Sequence, residues 1–136
     1  MPPEKGYRLP LPGKVYLENG WLLKCEPVAL KDINEIKANK DRSNHAWLDA
    51  DLLDFPLTIR TRRSGDRFQP LGMDGKSVKL SDFWVNAKLP YRARNSWPLV
   101  CSGESIVWVP GFRLGHSFQL SETTRQAVHL RLSQGE

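Results

Sequence analysis

Asn19-Gly20 stands between two apolar segments, Lys14–Leu17 and Trp21–Glu26. Asn-Gly in that setting is a strong short-range hairpin signal, because a type I′ turn needs positive φ at both central residues. The same logic recurs further along. Pro98–Cys101 and Ser105–Val109 flank Ser102-Gly103-Glu104 and read as a second tight hairpin. Leu57–Arg62 and Ala127–Leu132 alternate apolar and polar residues at period two, so each reads as a half-buried strand. In the first of these, alternation puts Arg60 and Arg62 on the outer face. His45–Asp49 is a further strand, followed by a turn at residues 50–54, and residues 111–115 hold a short one.

Helical signals are few. Val78, Leu80, Phe83, Trp84 and Ala87 fall near helical spacing, which predicts a helix over about 77–87 with Ser77 or Ser81 as its cap. Pro90 opens a shorter helical turn through Arg94. Residues 29–44 are polar and lysine-rich, and read either as a loop or as one weak helical turn around Ile33 and Ile36. The sum is seven or eight strands with one or two short helices: a mainly β, α+β chain. The expected organisation is an N-terminal hairpin and polar loop over residues 1–44, packed on a second part over 45–136, with both parts able to share one core.

Length and composition agree with a folded domain, at 136 residues, 40% hydrophobic, with five Trp. Cys25 and Cys101 lie in apolar runs and read as buried thiols, not as a disulfide framework. That usage fits a reducing cytoplasm. No signal peptide is visible and no apolar run approaches the roughly 20 residues of a membrane span.

Charge is where function shows. The net +5 is placed unevenly: residues 57–100 carry nine Lys/Arg and three acids, while residues 1–56 are slightly acidic and residues 101–136 are balanced. The nine are Arg60, Arg62, Arg63, Arg67, Lys76, Lys79, Lys88, Arg92 and Arg94. A concentrated basic segment is the sequence footprint of a polyanion-binding face, with a merely solvated charged face as the competing reading. Arg62-Arg63 leads into the Ser64-Gly65-Asp66 turn and Arg67 follows it. Guanidinium groups beside a glycine turn are suited to bidentate phosphate contact. Asp66 reads first as a turn former, with a salt bridge to Arg63 or Arg67 as its other role. Lys76 and Lys79 fall at the predicted helix start, where they oppose the helix dipole unless an anion is bound there. Phe83 and Trp84 read as core before base-stacking groups.

A catalytic constellation is not legible. His45, His116 and His129 are far apart in sequence, and none has a Cys or Glu at metal-ligand spacing. Asp49, Asp51 and Asp54 read as turn and cap residues before divalent-ion ligands. No G-x-S-x-G, H-E-x-x-H or G-x-x-x-x-G-K-[ST] occurs.

The strings AWLDADLLDFPLTIRTRRSGDRFQPLGM, KLSDFWVNAKLP, WPLV, IVWVPGFRLG and TTRQAVHLRL occur here in that order across residues 45–132. In that order and spacing they resemble the C-terminal region of tRNA(Ile)-lysidine synthetase, the ATP-dependent ligase that joins lysine to a wobble cytidine. Ser64 and Trp84 depart from the residues frequent at those places in the family. The resemblance implies a layered, β-sandwich-like domain of the kind shared with part of the phenylalanyl-tRNA synthetase β chain. It implies tRNA(Ile) and the enzyme's own N-terminal catalytic domain as partners, with this region holding the tRNA body and acceptor stem. ATP with Mg and lysine belong to that catalytic domain, whose SGG-x-DS loop is not in this sequence. The expectation is therefore a chain with no cofactor of its own, inactive alone, cytoplasmic and not bound to membrane. A module that docks on the catalytic domain is the alternative.

Overall fold

The computed structural model describes residues 7–17, 20–28 and 44–134. Two antiparallel sheets face each other. The first has the order β1-β5-β8-β9-β10, built from Tyr7–Leu9, Leu57–Arg60, Leu99–Ser102, Ser105–Val109 and Arg113–Leu114. The second has the order β2-β3-β11-β4, from Gly13–Tyr16, Trp21–Val28, Ala127–Gln134 and His45–Asp49. A two-stranded ladder, β6 (Arg67–Phe68) with β7 (Val78–Lys79), runs into the helix α1 (Leu80–Asn86).

Residues 7–28 thus supply strands to both sheets, β1 pairing with β5 and β3 with β11 along eight register positions. Leu9, Leu23, Leu48, Leu57, Ile59, Val100, Trp108 and Leu130 form the core between the sheets. A second core lies on the other face of the first sheet, where Phe68, Leu80, Phe83, Trp84 and Leu89 pack on Leu99, Cys101, Ile106 and Val109. The molecule is therefore three layers deep. The first sheet is buried on both sides, which is why β8 is buried at all four positions instead of alternating. Within β9, Val107 is the extra residue of a bulge: the register passes from Val100↔Trp108 to Cys101↔Ile106. The bulge lets Val107 and Trp108 both serve the inter-sheet core while Ile106 and Val109 serve the other.

Several local expectations change. Tyr16 pairs with Leu22 and the Leu17 N–H donates to the Trp21 carbonyl at 2.7 Å, so the first hairpin closes with a three-residue loop, not a two-residue type I′ turn. Gly20, at φ +84, takes the left-handed position such a loop requires. Residues 18 and 19, and the polar segment 29–43, lie outside the described residues. The helix is shorter than its apolar spacing suggests, because residues 78–79 are held in the β6–β7 ladder. Neither predicted serine caps it: Lys79 occupies the cap position without a side-chain bond, and Ser77 instead binds Arg67. Two- and three-residue ladders bring the strand count among the described residues to eleven, above the seven or eight expected.

The readings of the two cysteines and of Asp49 and Asp51 match. Cys25 and Cys101 are free and buried, and burial pushes their thiols up to about 12 and about 11. Asp49 caps the turn at Ala50–Leu52 through the Asp51 N–H and accepts the Thr124 hydroxyl, and Asp51 pairs with Arg125. No described helix is long and apolar enough to cross a membrane.

Candidate nucleic-acid interface

The basic segment wraps the third layer. After β5 the chain turns at Ser64-Gly65, with Gly65 at φ +83 and the Asp66 N–H returned to the Arg63 carbonyl at 3.1 Å. Asp66 is the hub of that turn. One of its oxygens accepts the Arg63 N–H at 2.7 Å, and both accept the Arg60 guanidinium, at 2.9 and 3.0 Å. Its carboxyl is held below the usual range: burial opposes this, but the Arg60 hydrogen bond and the Arg63 N–H outweigh it.

Arg60 does not lie on an outer face. Alternation does put it opposite Leu57 and Ile59, but that side of the sheet is covered by α1 and the β6–β7 ladder, so Arg60 is 6% exposed. Its role there is to hold Asp66, and through it the turn. The bidentate partner of Asp66 is thus Arg60, with the Arg63 N–H as a further donor, while Arg67 bonds Ser77.

Arg62, Arg63, Arg67 and Lys79 do come together, lining a groove of about 590 Å³ with Asn95 and the Ser64-Gly65 turn. Their positions are set by neighbours. Arg62 Nε donates to Asn95 Oδ1 at 2.9 Å, and Arg67 donates to the Ser77 hydroxyl and carbonyl at 3.0 and 3.1 Å. Arg67 and Lys79 are direct partners in the β6–β7 register, both exposed. They also line a second groove, of about 680 Å³, between α1 and Gly111–Arg113. The two cations therefore form a basic ridge between two grooves.

Lys76, Lys88 and Arg92 are exposed but line neither groove. Lys88 follows α1 at φ +63. Its N–H bonds the Val85 carbonyl and the Leu89 N–H bonds the Trp84 carbonyl, which is the Schellman ending that ordinarily takes glycine. Arg94 is tied down, its Nε and Nη2 both donating to the Leu89 carbonyl. Phe83 and Trp84 are core residues, 9% and 0% exposed. Asn95 and Tyr91 belong to this region although only charge was used to find it. Their signal was the placing of an aromatic and an amide within the run Pro90–Asn95.

His45 and His129 come from opposite strands and share a hydrogen bond of 2.8 Å between Nδ1 and Nε2. Trp47 stacks on both. Both rings are partly buried and packed against one another. Among the described residues no group of three or more His, Cys, Asp or Glu gathers at metal-binding distance.

Residues 57–132 match the family model described as the TilS substrate C-terminal domain. The chain belongs to that family. It is 38% identical over 135 residues to a tRNA(Ile)-lysidine synthase of Dehalococcoides mccartyi, covering 95% of this chain and 26% of that protein. It is 48% identical over 84 residues to the Symbiobacterium thermophilum synthase, covering 62% of this chain and 17% of the relative. A crystal structure of a TilS C-terminal domain superposes with a TM-score of 0.79 at 26% identity, covering 96% of each chain. The mainly β architecture, with one α-helix among the described residues, is thus the family's. The chain spans about a quarter of the length of the first of these synthases, and corresponds to its C-terminal domain.

Proposed function

We propose that this chain is a tRNA-holding domain of a tRNA(Ile)-lysidine synthase, contacting tRNA(Ile) through phosphates and carrying out no chemistry itself. The observation that carries this reading is the Arg67–Lys79 pair. Like charges directly opposite in a ladder repel, yet here they crown a ridge with Arg62 and Arg63 beside it, where the lining acids are Asp66, which is occupied by Arg60, and Asp82 across the second groove. A polyphosphate backbone lying in the grooves removes that repulsion and releases counterions. Arg62, Arg63, Arg67 and Lys79 form the central contact, with Lys76, Lys88, Arg92 and Arg94 extending it. Arg60 acts by positioning the turn. A rigid basic surface of this kind suits folded RNA, which is recognised largely by shape, phosphates and 2′-hydroxyls. Lysine transfer, with ATP and Mg, belongs in this reading to a separate N-terminal catalytic domain, in the cytoplasm.

The internal bonds of Arg67 and Arg94 favour a second reading, in which part of the basic surface is structural and the domain docks on that catalytic domain.

Salt titration of binding to unmodified tRNA(Ile) separates the two. Steep salt dependence is expected, with the slope reduced by about one unit per cation when Arg62, Arg63 and Arg67 are replaced by Ala. An unchanged slope in the triple variant removes these residues from the interface. Absence of tRNA binding at low salt, with retained binding to the isolated catalytic domain, establishes docking instead.

A further inference from the structure

Tyr91 is the most exposed large hydrophobic side chain among the described residues, at 71%. Its place is nonetheless fixed. It begins a 3₁₀ turn after Pro90, with the Arg94 N–H returned to the Tyr91 carbonyl at 3.2 Å. Two guanidinium groups attend its ring, Arg94 at 5.4 Å and Arg62 at 5.8 Å from the centroid. Each is anchored elsewhere, Arg94 on the Leu89 carbonyl and Arg62 on Asn95. The ring is therefore oriented by two immobilised cations, and with most of the residue exposed they leave much of the ring's surface open.

Arg62 and Asn95 also line the basic groove, so the ring stands at the edge of the surface proposed to take phosphates. An oriented, open aromatic beside a phosphate-binding groove is the arrangement that captures an unstacked base while its backbone stays on the cations. We infer that Tyr91 is a stacking platform for an unpaired nucleobase of the RNA whose phosphates lie along Arg62, Arg63 and Arg67. This rests on the tRNA-holding reading above and adds to it a single-stranded nucleotide next to the bound duplex, read by its face and not by its edges.

The test compares the wild-type chain with Tyr91→Ala and Tyr91→Phe, matched for thermal stability, on a hairpin RNA with a single-stranded 3′ overhang and on the same hairpin made blunt. Replacing Tyr91 with Ala is expected to weaken binding of the overhang RNA by about 5- to 150-fold, the range of one lost base–aromatic stack. The salt slope stays unchanged because no charge is removed. Phe should restore binding to near wild type, and the blunt hairpin should not distinguish the three proteins. Equal losses on both RNAs, or no loss on the overhang RNA, overturn the platform while leaving the phosphate groove standing. Failure of the wild-type chain to bind either RNA at low salt overturns the tRNA-holding reading together with the platform. Tyr91-dependent binding to the separate catalytic domain, without RNA dependence, assigns the ring to a protein contact.

Discussion

Arg60 and Asp66 form a bidentate ion pair beneath the third layer, their side chains only 7% and 14% exposed, with the turn that presents Arg63 hanging from it. The pair links the inner sheet to the basic surface, so a buried charge sets the shape of the groove. Breaking one partner leaves the other charged and buried. Asp66→Asn is expected to cost about 3–5 kcal/mol of folding stability by urea denaturation. Arg60→Met combined with Asp66→Asn should lose less than the sum of the single changes, because neither residue is then left unpaired. Strict additivity would show that the two side chains do not depend on each other.

Lys88 holds a left-handed conformation at the end of α1, where a side chain is strained and glycine is not. Lys88→Gly should therefore raise stability by about 0.5–1 kcal/mol, despite the looser unfolded chain. The same change removes one cation from the proposed RNA surface and should lower the salt slope of tRNA binding by about one unit. A thermal melt and a salt titration on one variant read both effects. Lys88→Ala should lower the slope without the gain in stability.

His129 is pushed down to about 4 from the ordinary 6.5, first by burial and then by the neighbouring His45, against a smaller opposing pull from Glu26. Arg131, on the same strand, pushes in the same direction as His45. The folded state thus favours the neutral ring, and the unfolded chain binds more protons between those two values. Its contribution is complete above pH 6.5 and is lost as the pH falls toward 4. A full shift of this size is worth roughly 3 kcal/mol, and the ring's partial exposure reduces that. Urea midpoints measured at pH 7 and pH 4.5 should separate widely in the wild type and less in His129→Gln. Equal separations would mean that the His45–His129 contact does not govern the acid response.

Much of this molecule is legible before folding. Period-two alternation locates β5 and β11, Asn19-Gly20 locates the first hairpin, and the run from Arg60 to Arg94 locates the basic surface. Each of these depends on neighbours within a few residues, which is the range over which propensity and pattern act. The ladders of two and three residues β1, β6 and β7 carry no such pattern, since so short a strand shows no full period and exists only because a partner waits for it.

The same limit explains Arg60. Alternation correctly assigns it to the face opposite Leu57 and Ile59, but whether that face meets water depends on Phe68, Leu80 and Trp84 arriving from elsewhere in the chain to cover it. Likewise, the sequence shows that Arg67 and Lys79 are both basic, while their cross-strand pairing depends on the β6–β7 register. Residue types and their local order decide which elements form and which charges exist. Only the packing of three layers decides which cations are buried as supports and which are left outside as a surface, because burial and like-charge proximity are properties of pairs distant in sequence.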